Sequence, residues 1–286
     1  MTAAEPERPR DRSVAAARAL RTALRRATGA LRLLPDFIIV GAQRAGTTSL
    51  YRYLAGHPSV APASQKEVHF FDLDWDKGLG WYRSHFPLAM RRAAGGATLR
   101  TGEASPYYMF HPHALRRIAA ALPRVKLVAL LRNPIDRAYS QYHHEVGHGH
   151  EPLSFSEAIA REEDRLRDEL PRLAADEGAY SFAHQHHSYV ARGLYARQLM
   201  EIRRAGFADG QVMVLPSEDF FADAPRQFAR LLDFLELPAW RPAEFERFHV
   251  LRYERMGEAM RDRLRERFAG PNQELYERLG RDLGWR

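Results

Sequence analysis

The feature that most restricts this chain is the run Asp36 to Val40 (DFIIV), followed at once by Gly41-Ala-Gln-Arg44-Ala-Gly46-Thr47-Thr48. A short apolar, β-branched run closed by glycine reads as a buried strand, and Thr48 to Leu54 beyond the loop reads as a helix. Strand, glycine-bearing turn and helix in that order leave backbone N–H groups and a helix N-terminus facing one point, an arrangement suited to an anion. Against the phosphate-loop pattern GxxxxGK[ST], Gly41, Gly46 and Thr48 fit, whereas Thr47 stands at the lysine position and the cation comes earlier, at Arg44.

The rest of the chain repeats the alternation. Val125 to Leu131 and Gln211 to Leu215 read as buried strands, with shorter strand candidates at Glu67 to Phe71 and Thr98 to Gly102. After Arg132, Asn133 is an N-cap and Pro134 a first helical residue, which predicts a helix to about His144. Helical patterns fill 111–122, 155–170, 188–204, 223–236 and 271–283. Apolar strands alternating with helices predict an α/β fold whose mostly parallel sheet is covered on both faces. With 286 residues, the division expected is a basic, Arg-rich N-terminal extension over 1–34 and one domain over 35–286.

Arg132 and Ser140 lie eight apart, across a strand end and two helical turns, so a guanidinium and a hydroxyl can converge on one anion. An ordinary surface ion pair and an incidental helix serine are the alternative. A nucleoside triphosphatase needs an acidic residue holding Mg²⁺ near a neighbouring strand end, yet here the second strand ends in a cation. The pattern therefore suggests two phosphates held without metal at the carboxyl ends of parallel strands.

At this point the chain resembles the sulfotransferases that use 3′-phosphoadenosine-5′-phosphosulfate (PAPS), and most closely their heparan-sulfate-type carbohydrate branch. FIIVGAQRAGTTSL resembles that family's 5′-phosphosulfate loop, and LLRNPIDRAYSQY its 3′-phosphate motif. KEVHFFD (Lys66 to Asp72) with GLGWY (Gly78 to Tyr82) is similar to the glucosaminyl sulfotransferases, as is the ending ELYERLGRDLGW. The resemblance implies a three-layer, P-loop-like α/β fold and transfer of a sulfuryl group from PAPS, leaving PAP, to an acceptor hydroxyl or amine. By carry-over, Arg44, Ala45, Gly46, Thr47 and Thr48 bind the 5′-phosphosulfate, and Arg132 and Ser140 the 3′-phosphate. Glu67 matches the catalytic base, while Arg44 and backbone N–H groups stabilise charge on the leaving phosphate and the transferring sulfuryl oxygens. That base role calls for a raised pKa or tight positioning.

His69 is a rival base: were Glu67 to Phe71 extended, both side chains would share one face. Lys66 and His69 are the acceptor-contact candidates, although Glu67 pairing with Lys66, or capping a turn, is an equally simple role. Two departures from the resembled branch stand out. Where its members carry Glu-Lys-Ser/Thr-Pro, this chain reads Glu103-Ala104-Ser105-Pro106, so a lysine that would contact an acidic sugar is missing, which argues against a heparan-like acceptor. The late cofactor loop reads HVLRYERMGE, with Arg252 substituting for a Lys-Gly element.

Rival classes are weighed on specific residues. His144-Glu145-Val146-Gly147-His148 matches HExxH, the zinc metalloprotease motif, but Gly147 weakens the required helix, and Glu151 and Ser154 replace the metzincin extension. The histidine-rich stretches 143–150 and 184–187 read better as a polar rim near an acceptor cleft, or plain surface, than as a metal site. A non-catalytic nucleotide- or polyanion-binding module would bind PAP without transfer, and a P-loop kinase would need the Walker lysine that is absent.

Composition closes off the remainder. There is no cysteine, hence no disulfide, no cysteine-ligated metal and no thiol nucleophile. The net charge of +7 belongs mostly to residues 1–35, with eight arginines against three acids, so the body has no nucleic-acid footprint. That basic segment is a solvated extension or an amphipathic helix, with Leu20, Leu24 and Leu31 among Arg21, Arg25, Arg26 and Arg32, touching a membrane surface or a partner. No apolar run is long enough to span a bilayer, and a cytoplasmic location is expected. The partners expected are PAPS and a hydroxyl-bearing acceptor, a glycan or glycosylated metabolite.

Overall fold

The structure is a computed structural model that describes residues 20–95, 99–248 and 253–285. Strand β1 (Phe37–Gly41) is buried at every position and leads into helix α1 (Thr47–Gly56). Strand β2 (Gly102–Ala104) precedes α2 (Ala114–Ala121). Strand β3 (Lys126–Leu131) opens into α3 (Pro134–Gly147), where the Asn133 side chain caps by accepting the Ile135 N–H at 3.0 Å. Helices α4 (Phe155–Leu166) and α5 (Tyr195–Arg204) come next, then strand β4 (Val212–Pro216), α6 (Ala224–Phe234) and the long α7 (Glu258–Leu279).

The four strands form one parallel sheet in the order β2-β1-β3-β4, flanked by helices, as the alternation of apolar runs and helices predicts. Phe37 to Val40, Leu127 to Leu131, Leu50 and Leu54 are essentially inaccessible and form the centre of the main core. At about 25 cal/mol per Å² of apolar surface removed from water, such burial is the chief stabilising contribution. The register slips between Ile39 and Gly41, and the Ala42 N–H reaches the Leu130 carbonyl at 2.6 Å. This bulge turns the chain out of the sheet into the loop that forms the site.

Several expected boundaries move. The strand expected at Thr98–Gly102 is displaced to Gly102–Ala104, because Arg100 instead bridges to Val60 beside the sheet. Glycine is needed at 102, where an added Cβ would lie 2.4 Å from the Phe37 ring. Glu67–Phe71 is no strand: Glu67 and His69 take left-handed backbone, with φ of 59° and 55°. The Glu67 N–H bonds the Ala104 carbonyl, while side-chain oxygens of Ser105 and Tyr108 take the N–H groups of His69 and Phe70. The pattern at 155–170 breaks after Leu166, and that at 188–204 gives a 3-10 turn at Ala191–Gly193 and becomes α-helical only from Tyr195. There the buried Glu162 carboxylate takes the N–H groups of Val190 and Ala191. The last helix begins at Glu258 rather than 271 and passes through Pro271, with Leu264, Phe268 and Leu275 buried.

Residues 20–27 are helical, and the segment they open is tied to the body. Arg25 and Arg32 donate to the Phe86 carbonyl, and Arg25 also to that of Ser84. Leu20, Leu24 and Leu31 stay exposed. Among the described residues no helix is long and apolar enough to cross a membrane.

Candidate active site

The loop after β1 is held from beneath by its own backbone and by neighbouring strand ends. Arg44 takes a left-handed φ of 68° and Gly46 one of 98°, and an added Cβ at Gly46 would meet the Phe221 ring at 2.7 Å. The Leu50 N–H is bonded to the Gly46 carbonyl, so the amides of the first turn, Thr47 and Thr48 included, have no partner within α1 and are oriented for an anion. Ser217, just past β4, donates to the Ala45 carbonyl at 2.8 Å, and Arg132, just past β3, donates to the Arg44 carbonyl at 3.0 Å. Arg44 Nε in turn donates to Ser140 Oγ at 3.1 Å, leaving the Ser140 hydroxyl hydrogen for another acceptor. The carboxyl ends of three adjacent strands thus gather Arg44, Arg132 and Ser140, which the spacing alone had only suggested. Burial lowers the Arg44 pKa and Arg132 lowers it further, while Tyr253 and Glu145 act in the opposite sense. A guanidinium in such surroundings stays charged.

Across the same cavity, of about 970 Å³, stand Lys66, Glu67 and His69. The Lys66 ammonium is paired with Glu67 Oε1, the simple pairing that the sequence left open. His69 Nε2 lies 3.5 Å from Glu67 Oε2, and its Nδ1 is 2.9 Å from the buried Asp72 carboxylate. The two left-handed residues, not an extended strand, bring Glu67 and His69 together. Burial on its own would raise the Glu67 pKa, but His69 and Lys66 outweigh it and hold the group at about 2. Burial would likewise lower His69, yet its contacts with Asp72 and Glu67 push it up to about 10. At neutral pH the site therefore contains a carboxylate and an imidazolium. The raised pKa expected of a base at this position is absent, since Glu67 is held below the ordinary carboxylate range. Below the turn, buried Glu103 accepts from Tyr82 at 2.6 Å, Ser105 at 2.7 Å and Tyr108 at 3.1 Å, and through Ser105 and Tyr108 it fixes the backbone of His69 and Phe70.

Three features escaped the sequence reading. Fully buried Arg192 holds Gln43 of the loop and the carbonyls of His184 and Gln185, with its guanidinium over Tyr107 and Phe110. Nothing at Ala191-Arg-Gly193 marks it, since the partners come from distant segments. Asp72 was quoted only as the end of a motif, and its role with His69 depends on the turn. Glu145, read as part of HExxH, accepts instead from His150 and His186. Of that motif, His148 donates Nδ1–H to the His144 carbonyl, and only Glu145 joins a group whose donor atoms converge among the described residues. This does not match the paired ligands of a zinc protease helix. Arg252, assigned to the cofactor, lies outside the described residues.

Comparison with known proteins agrees with this geometry. The family model described as "Sulfotransferase domain" matches residues 34–244. The chain is similar to the crystal structure of a sulfotransferase from Alicyclobacillus acidocaldarius, with 31% identity and a TM-score of 0.67 over 89% of this chain and 99% of that one. It is 26% identical to the membrane-associated sulfotransferase kil1 of Dictyostelium discoideum over 90% of its length and 68% of that protein's. It is 29% identical to human heparan sulfate glucosamine 3-O-sulfotransferase 6 over 89% of its length and 74% of that protein's. A human bifunctional heparan sulfate N-deacetylase/N-sulfotransferase is 39% identical over 41% of this chain, a match that spans 13% of that protein.

Proposed function

The chain belongs to the sulfotransferase-domain family, and from that premise we propose that it moves a sulfuryl group from PAPS to a hydroxyl of a carbohydrate-containing acceptor. The heparan-sulfate-type relatives support the acceptor class, and use of PAPS is what membership of the family implies. The donor's 5′-phosphosulfate lies on the Arg44 to Thr48 loop, its charge met by Arg44 and the first amides of α1. The 3′-phosphate is taken by Arg132 and the free hydroxyl hydrogen of Ser140, and Arg252 completes the donor set from the late loop.

In the transfer the acceptor oxygen attacks sulfur, the bond from sulfur to the bridging phosphate oxygen breaks, PAP departs and the acceptor proton passes to Glu67. The protonation states support Glu67 over His69 as the base, since an imidazole held near 10 already carries its proton. Lys66 has two anions to choose between. Paired with Glu67 it suppresses the carboxylate's basicity, and once a phosphosulfate occupies the loop its ammonium has a second partner. Donor binding then makes Glu67 a stronger base at the moment one is needed. His69, held by Asp72 through Nδ1 and facing Glu67 through Nε2, positions the carboxylate. The transfer needs no metal, because guanidinium and amide donors supply the positive field.

The single observation that supports this reading best is the convergence in one cavity of the Arg44 to Thr48 loop, Arg132 with Ser140, and Lys66 with Glu67 and His69. The test is calorimetric binding of PAP, 5′-AMP and ATP with and without Mg²⁺, followed by transfer from radiolabelled PAPS to a panel of glycans. Tight Mg²⁺-independent binding of PAP, much weaker for 5′-AMP, is the expected result. A Mg²⁺-dependent preference for ATP would reject it.

A further inference from the structure

Glu145, His150 and His186 meet from three separate segments: the last turn of α3, the loop that follows it, and the end of the short helix Phe182–His186. Oε2 of Glu145 lies 2.9 Å from Nδ1 of His186 and 3.0 Å from Nδ1 of His150. All three residues offer donor atoms within 4.8 Å of one another and line the cavity. We propose that these three residues form a binding site for one zinc-class divalent ion in the wall of the cavity.

Two independent observations carry this. The first is geometric. Ligands placed about 2.0–2.1 Å from a tetrahedral ion are about 3.3–3.4 Å apart, so the present contacts need widen by only about 0.4 Å. The second is the state of the carboxylate. The Glu145 side chain is only 2% exposed, yet its Oε1 has no hydrogen-bond partner among the described residues. A buried carboxylate oxygen left without a donor costs free energy, and a cation held through both oxygens of the group removes that cost. The loop that carries His150 is itself fixed in place. His187 Nε2–H donates to the His150 carbonyl at 3.0 Å, and the His150 N–H donates back to the Glu145 carbonyl at 2.9 Å, which folds the loop against α3.

One carboxylate and two imidazoles make a set suited to zinc, cobalt or nickel rather than magnesium or calcium. Three protein ligands leave a position for water or an acceptor oxygen, as in open zinc sites. This departs from the reading of the histidine stretches as a mere polar rim, and it differs from HExxH: Glu145 becomes a ligand, while His144 and His148 are not. It is also independent of the sulfuryl-transfer reading, since its readout is binding.

The test uses the full chain stripped with a chelator, dialysed to equilibrium against Zn²⁺ and assayed for bound metal, with Co²⁺ as an optical probe. One ion per chain is expected, with the visible bands of four-coordinate Co²⁺. Glu145→Gln and His186→Ala should each weaken binding by about a hundredfold or more, and His144→Ala should leave it intact. If Glu145→Gln fails to fold by circular dichroism, His150→Ala at the cavity edge serves in its place. Absence of a stoichiometric ion in the unmodified protein would overturn the proposal. So would loss in His144→Ala with retention in Glu145→Gln, which would return the motif to its protease form.

Discussion

The two walls of the cavity are built in opposite ways. On the donor wall the candidate recognition groups sit at the carboxyl ends of β1 and β3, in the first turn of α1 and in the second turn of α3, so strand and helix geometry sets their positions. On the acceptor wall, Lys66, Glu67, His69 and Asp72 lie on an irregular turn held by side chains of Ser105 and Tyr108, with buried Glu103 behind them. A wall made of element termini tolerates change elsewhere in the chain. A wall made of side-chain networks depends on each member, because removing one partner leaves a buried polar group unsatisfied.

This contrast can be broken most directly at Arg44, which stands in the loop after β1 and lines the cavity. Arg44→Ala should lower kcat/KM by on the order of a thousandfold and weaken PAP binding as well, because it removes charge stabilisation of the leaving phosphate. Steady-state kinetics with a PAP titration would measure both, and retention of either would place the donor's charge elsewhere. Glu67→Gln should lower kcat by about a hundredfold or more while PAP binding persists, since only general-base catalysis is lost. A near-normal rate in Glu67→Gln together with a dead His69→Ala would exchange the two roles.

A smaller effect is expected at Arg132. Arg132→Ala should weaken PAP by roughly tenfold to a hundredfold, the worth of a charge-assisted hydrogen bond, and should barely change binding of an analogue lacking the 3′-phosphate. Equal losses for the two ligands would remove the separate 3′-phosphate site. The smallest effect lies in the pH profile. With Glu67 at about 2 and His69 at about 10, neither group changes charge through neutrality, and these two alone give a flat kcat/KM profile across that range. Were His69 the base, it would have to lose its proton first, and kcat/KM would climb as pH rises towards 10. Asp72→Asn sharpens this by removing the anion that most raises His69. The imidazolium then deprotonates at lower pH, and kcat/KM should decline several-fold on the alkaline side if the imidazolium positions Glu67.

Much of the donor wall was legible in the chain. Gly41 to Thr48 after a buried strand, and Arg132 with Asn133 and Pro134 after another, are local patterns whose geometry follows from strand ends and helix caps. The acceptor wall was read less well. Glu67 and His69 were picked out together on the supposition of a strand; two left-handed residues and three long-range hydrogen bonds make the actual turn, and no period in the sequence announces it. Arg192, Asp72 and the partnership of Glu145 with His150 and His186 were missed because their meaning depends on what packs beside them.

The sequence by itself determined the parallel sheet, the phosphate-type loop and the cation-and-hydroxyl pair that follows β3. These rest on local propensity, capping and hydrophobic period, which act over a few residues. Only the tertiary structure decided that Lys66 rests on Glu67, that Asp72 and Glu67 keep His69 charged, and that Glu145 faces two histidines from other segments. The physical reason is that pKa values and hydrogen-bond partners depend on burial and on distances across the fold, and chain spacing does not encode these.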